Sequence, residues 1–245
     1  MFKGTSASAG IGIGKAVIVE EAELVITRNE VADAEAEIQR FKGALEKTIA
    51  ATQKMADDLA SRVGEKEAEI MQGHMMLLSD PMLTGEIENS VKNDKVNCEF
   101  AIENVCNMYA DMFASMGDEL MQQRATDMRD IKVRMQRTLM GLESVDVSLL
   151  PKGSILVAKD LTPSMTAGIN PENVSGIVTE LGGKTSHSAI LARALEIPAV
   201  VAVNGLMDAV KDGDSVVLDG STGEVFVNPE ASVEKRIRRK EKASS

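Results

Sequence analysis

Aromatic residues are nearly missing from this chain: its 245 residues hold no tryptophan, one tyrosine and five phenylalanines. That excludes an aromatic sandwich as the main core. Fifteen methionines, with abundant alanine and leucine, point instead to seams between helices, where flexible thioethers fill irregular gaps. Positive charge is also short, with 27 Lys and Arg against 38 Asp and Glu, a formal net charge of -11. A nucleic-acid role needs surplus cations to neutralise phosphate and is set aside; a basic protein partner fits better. Cysteine is limited to Cys98 and Cys106, which have no metal-ligand pattern and lie about two turns apart in a helical run, so both read as reduced structural thiols. There is neither a long apolar span nor a secretory signal, and the expectation is a soluble, cytoplasmic protein with no membrane insertion.

Histidine is scarce too, and one of the two stands in a telling place. The stretch Gly182-Gly183-Lys184-Thr185-Ser186-His187-Ser188-Ala189-Ile190-Leu191-Ala192-Arg193 comes after the apolar run Gly176-Ile177-Val178-Thr179 and opens a helical run from Ser186 to Leu195. A strand thus delivers the chain through a flexible turn into a helix whose first turn holds His187. The first N–H groups of a helix have no internal partner and carry the positive end of its dipole, a ready site for an anion such as phosphate. The same field disfavours an imidazolium, leaving a neutral ring with a free nitrogen for nucleophilic attack. The competing reading of a histidine beside a glycine turn is a cap or a packed surface residue.

The chain changes texture twice. Residues 1–26 are rich in small residues, Gly4 to Gly14 with Ala16-Val17-Ile18-Val19 behind them. The G-x-G-x-G spacing lacks the helix and acidic residue of a dinucleotide site, so a close-packed turn before a strand is expected. Thr27-x-x-Glu30 has the form of a capping box, and Ile38, Phe41, Leu45, Thr48, Thr52, Met55 and Leu59 recur behind it at steps of three and four. Further stripes run through Ala68, Met71, Met75 and Leu78; Leu83, Ile87 and Val91; Ala101, Val105, Met108 and Met112, with Asn97 as a cap; and Met128, Ile131, Met135, Leu139 and Leu142. All read as core of an antiparallel bundle over 27–144. From Leu149 short apolar runs, Ile155–Ala158, Gly176–Val178, Ala199–Val203 and Ser215–Leu218, read as buried strands, and residues 219–223 link the last to Val225-Phe226-Val227 as a hairpin. The expected architecture is an α/β domain made of residues 1–26 and 145–230, the all-α bundle inserted in it, and a basic linker helix over 231–245.

The sequence GGKTSHSAILARALEIPAVV resembles the phosphohistidine loop of enzymes that use phosphoenolpyruvate or pyruvate as phosphoryl partners, pyruvate phosphate dikinase and phosphoenolpyruvate synthase among them. Three further segments, Gly73 to Leu78, Arg124 to Ile131 and Asp160 to Ala167, together with the inserted bundle, resemble the N-terminal half of the Enzyme I family of the bacterial phosphoenolpyruvate-dependent sugar phosphotransferase system. The likeness implies reversible phosphoryl transfer between His187 and a histidine of the phosphocarrier protein HPr. It implies catalytic roles for His187 and for Thr166, as a hydrogen-bond partner of the ring, and a phosphate-binding loop of Gly182, Gly183, Lys184, Thr185, Ser186 and Ser188. It places Glu65, His74, Met76, Leu77, Asp80, Leu83 and Arg124 on the HPr-binding face, and gives Arg193 no role.

Complete members carry a C-terminal domain that binds phosphoenolpyruvate with magnesium and forms the dimer, so the 245 residues are expected to exchange phosphate with HPr, to need no metal or cofactor of their own, to be monomeric, and to be unable to use phosphoenolpyruvate alone. With no N-terminal sensory domain expected, the sugar branch is favoured over the nitrogen-regulatory one. Lys184 departs from the arginine of many relatives and cannot reproduce its bidentate contact. A dikinase-like swivel module and a non-enzymatic helical docking protein remain alternative readings.

Overall fold

The computed structural model describes residues 1–245, which divide into two units, Met1–Glu21 with Val145–Ser245, and Ala22–Ser144.

The second unit is a bundle of α1 (Ala34–Arg62), α2 (Glu65–Leu78), α3 (Pro81–Asp94), α4 (Cys98–Ser115) and α5 (Glu119–Met140). Their starts are written in the sequence: Asp33, Asp80 and Asp118 each accept a first-turn amide, and Pro81 occupies a position where its missing N–H costs nothing. Helix α5 stops at Gly141 in the left-handed conformation. The core gathers Phe41, Leu78, Leu83, Ile87, Ile102, Met128, Ile131 and Met135.

Four expectations are corrected here. The Thr27–Glu30 pair caps no helix. Residues 27–31 form a strap held by Asn97, which accepts from the Asn29 amide (2.8 Å) and donates to the Thr27 carbonyl (3.0 Å) instead of capping α4 with its side chain. Met108 and Met112 are exposed, because α4 turns the narrower row Cys98, Ala101, Ile102, Val105, Cys106 and Ala110 toward its neighbours. Leu142 lies beyond α5 and is exposed.

Both cysteines are free and fully buried. Burial pushes the Cys106 thiol up to about 12, and burial, reinforced by Glu37 and Glu99, pushes that of Cys98 up as well, so both stay protonated and inert. Glu37, Cys98 and Glu99 lie within metal-ligand reach of one another, but a cation from the chain already sits among them. Arg40 clasps Glu99 in a two-point contact (2.6 and 2.9 Å) and reaches Glu37 (3.2 Å), holding the Glu99 carboxyl below its ordinary range.

The first unit is one eight-stranded sheet in the order β1-β8-β7-β3-β4-β5-β6-β2. The strands are β1 (Phe2–Lys3), β2 (Thr5–Ser8), β3 (Ile11–Ile18), β4 (Ser154–Ala158), β5 (Val174–Thr179), β6 (Ala199–Val201), β7 (Ser215–Asp219) and β8 (Glu224–Val227). β1 and β2, at opposite ends of that order, are separated by Gly4 alone, so the sheet must curl until its edges approach. The glycine-rich start is therefore mostly strand, and the expected turn is confined to Ala9 and Gly10, with Gly10 at φ +120°, just before β3. A Cβ on Gly14 would stand 2.0 Å from the Gly153 carbonyl oxygen, and one on Gly12 2.7 Å from that of Ser175, so these glycines admit neighbouring backbone. Short helices α6 (Pro163–Ala167), α7 (His187–Ala194) and α8 (Leu206–Ala209) complete the crossovers.

Two boundaries also shift. Residues 22–26 go with the bundle, and α9 (Ala231–Ala243) packs on the α/β unit, with Val233 and Ile237 beside Val217 and Phe226. Lys240 meets the buried Asp219 at 2.5 Å. Burial acts to raise the Asp219 carboxyl, but the bonds from Lys240 and from the Ser221 and Thr222 amides outweigh it and hold the pKa below its ordinary value. A depressed carboxyl stabilises the fold above the unfolded pKa of about 4 and loses that contribution as pH falls through the folded value. Hydrogen exchange of α9 amides should therefore accelerate on acidification below about pH 4 relative to the β4 amides. Asp219→Asn should flatten that dependence; an unchanged pH profile in the variant would show that Asp219 does not hold α9.

Candidate functional site

Strand β5 ends at Thr179, and the loop that leaves it is pinned at its start. The Glu180 and Leu181 amides donate to the carbonyls of Ala158 (3.1 Å) and Lys159 (2.9 Å), and the Leu181 carbonyl accepts from the Thr179 hydroxyl (2.6 Å). Gly182 then turns with φ +99°, a region that other residues enter only at a cost. Ser186 closes the loop at its far end, its hydroxyl donating to the Gly183 carbonyl (2.7 Å) while lying at 3.4 Å from the Ala189 amide as the cap of α7.

Between these pins the amides of Gly182, Gly183, Lys184 and Thr185 meet no backbone acceptor, and neither does that of Ser188 in the first turn of α7. Four of them lie in the residues that lead into α7 and the fifth in its first turn, where the helix dipole is positive. His187 is the first residue of that helix and is nine-tenths buried, with Ser188 and Ala189 more so, whereas Lys184 and Thr185 are exposed. Leu181 and Ile190 remain exposed on either side of the loop.

Helix α6 lies beside α7. It begins at a Thr-Pro start in which Thr162 caps the Met165 amide (3.3 Å). Thr166 is buried, and its hydroxyl donates to the Pro163 carbonyl at 2.7 Å. With its hydrogen committed there, that oxygen can serve another group only as an acceptor. The structure thus gathers the loop, His187 and the α6 segment in one unit.

The residues expected on a docking face belong to the bundle and divide in two. Glu65, Met76 and Arg124 are exposed, Met76 at 71%, and Leu77 and Asp80 are half-buried. His74 is fully buried, its Nε2 2.9 Å from Asp127 Oδ1, and Leu83 is core; neither presents a surface. With Nδ1 buried and unpartnered, the ring proton belongs on Nε2, where it has an acceptor. Exposed Met82, Met108, Met112, Met116 and Leu120 went unnoticed as surface. No helix is long and apolar enough to cross a membrane.

A solution structure of an Enzyme I protein matches with a TM-score of 0.86 at 39% identity, covering 100% of this chain and 99% of that one. The chain belongs to the Enzyme I family. Within it, residues 3–124 match the family described as PEP-utilising enzyme, N-terminal, and residues 150–223 the PEP-utilising enzyme, mobile domain. The phosphoenolpyruvate-protein phosphotransferase of Bacillus subtilis is 40% identical over 242 residues, and that of Listeria monocytogenes 42% identical over 244. The alignments cover 99% and 100% of this chain but 42% of each relative, so the chain spans less than half the length of these Enzyme I relatives. A structure described as the N-terminal domain of Enzyme 1 - Nitrogen is less similar, with a TM-score of 0.62 at 25% identity. Because the solved Enzyme I structure matches this chain along its whole length, the dikinase-like reading gives way.

Proposed function

We propose that the chain carries out reversible phosphoryl transfer between His187 and the active histidine of HPr. The observation that carries this reading is the buried His187 at the start of α7, beside amides that meet no backbone acceptor. A ring nitrogen of His187 attacks phosphorus in phosphorylated HPr; the phosphorus–nitrogen bond to the HPr ring breaks, and its electron pair returns to that ring nitrogen. One such bond replaces another of its kind, so the equilibrium lies near balance, and catalysis rests on in-line alignment and on amides that meet the spread charge of the phosphoryl oxygens. Thr166, its hydrogen held by Pro163, offers an acceptor that a ring N–H of His187 would reach in the transfer step. The step needs no metal. The half-reaction with phosphoenolpyruvate, and its magnesium, is assigned to sequence outside these 245 residues, and the greater likeness to Enzyme I than to its nitrogen counterpart supports the sugar branch.

HPr docks on Glu65, Met76, Leu77, Asp80 and Arg124, with His74 and Leu83 supporting that face from beneath. Its acidic members suit a basic surface on HPr and serve encounter, while Met76 supplies apolar anchoring. Adding unlabelled HPr to the labelled chain should shift the amide resonances of these residues in α2, α3 and α5. Met76→Asp should raise the dissociation constant about tenfold or more with circular dichroism unchanged, since the side chain is exposed. Shifts confined to other faces, or an unaffected dissociation constant, would refute this docking surface.

A further inference from the structure

Arg193, two turns beyond His187 on α7, donates to two main-chain carbonyls, Nη1 to Ala7 at 2.8 Å and Nη2 to Lys184 at 2.9 Å. Both acceptors are unusual. β2 pairs with β6 as Thr5 with Val201, Ser6 with Val200 and Ser8 with Ala199, so Ala7 falls in a bulge and its carbonyl leaves the ladder. Ala7 is buried, where a carbonyl needs a partner, and Arg193 provides it. Lys184 lies in the loop whose amides meet no backbone acceptor.

A peptide bond is planar and trans, so its carbonyl and the next N–H point in opposite directions. Anchoring the Lys184 carbonyl therefore fixes the Thr185 N–H to point away from Arg193. The Ser186 hydroxyl does the same to the preceding peptide by holding the Gly183 carbonyl, which sets the Lys184 N–H. A planar guanidinium can span a fixed strand and a loop at once; a lysine ammonium is a point donor.

We propose that Arg193 is a positioning residue for phosphoryl transfer, locking the Lys184–Thr185 peptide of the loop to the bulge of β2 so that the Thr185 amide is aligned in advance for a phosphoryl oxygen. The proposal rests on the transfer reading above.

The test compares the wild-type chain, Arg193→Ala and Arg193→Lys, with phosphorylated HPr as donor. At saturating donor, Arg193→Ala should slow transfer roughly 10- to 100-fold, the scale of an ångström-sized misplacement, with the dissociation constant for HPr unchanged within about twofold. Arg193→Lys should recover only part of the rate. The Thr185 amide resonance should move in Arg193→Ala while bundle resonances stay in place. Wild-type transfer by Arg193→Ala, or full rescue by lysine, overturns the positioning role. If the wild-type chain accepts no phosphoryl group, the transfer reading fails, and the Thr185 amide alone decides the clamp: moved in Arg193→Ala it stands, unmoved it falls.

Discussion

His187→Ala is expected to lose phosphoryl uptake from phosphorylated HPr by on the order of 10^4-fold or more, the range seen when a nucleophile is removed. The loss should reach that scale because nothing else in the chain can substitute. The other histidine, His74, is fully buried in the bundle and bonded to Asp127, and Ser186 and Ser188 share their hydroxyls 3.2 Å apart. Alanine is a strong helix former, so α7 should persist and HPr should still bind. Stopped-flow or quenched transfer together with calorimetric HPr binding checks both halves. Residual uptake above that level would mean that the phosphoryl group resides elsewhere.

Gly14→Ala should destabilise the α/β unit by about 3 kcal/mol, the upper range for overpacking, because its new Cβ would stand 2.0 Å from a backbone oxygen of Gly153 with no flexible side chain to yield. β3 is central to the sheet, pairing with both β4 and β7, so the strain falls where pairing is densest. The bundle has its own core around Phe41, Ile87 and Ile131 and should keep its thermal transition. Differential scanning calorimetry should therefore show the transitions moving apart. A wild-type profile would mean that β3 and the Gly153 turn can separate cheaply.

The contrast between Gly14 and Gly182 shows where local sequence patterns stop being informative. Both stand in glycine-rich stretches. Gly182 announces itself, because a strand-like run precedes it and a helix-like run comes after, and the turn with φ +99° is what that order requires. Gly14 is glycine on account of a carbonyl 139 positions away, which no local pattern reveals. The same holds elsewhere. Apolar runs such as Ile155–Ala158 mark strands because a strand buried on both faces has no polar side. Met108 and Met112 keep helical spacing with Ala101 and Val105, yet the stripe that packs is set by which neighbours α4 meets. The resemblance puts His74 on the docking face with Met76 and Leu77, whereas its partner Asp127, 53 positions on, holds it inside the bundle. Arg193 carried no assignment because both acceptors are main-chain carbonyls, one of them in a bulge 186 positions earlier. Local geometry that depends on neighbours in sequence, such as the strand, turn and helix around Gly182, is legible; burial and pairing that depend on remote backbone are not.

The central claim is that His187 carries the phosphoryl group. Its most direct test is to incubate the purified chain with phosphorylated HPr, record the intact mass, locate the modified residue, and follow the adduct in acid and in base. A single added phosphoryl group on His187, lost in acid and retained in base, is the expected result. An unmodified chain beside a demonstrably active donor, or a base-labile, acid-stable adduct on a hydroxyl, would contradict it.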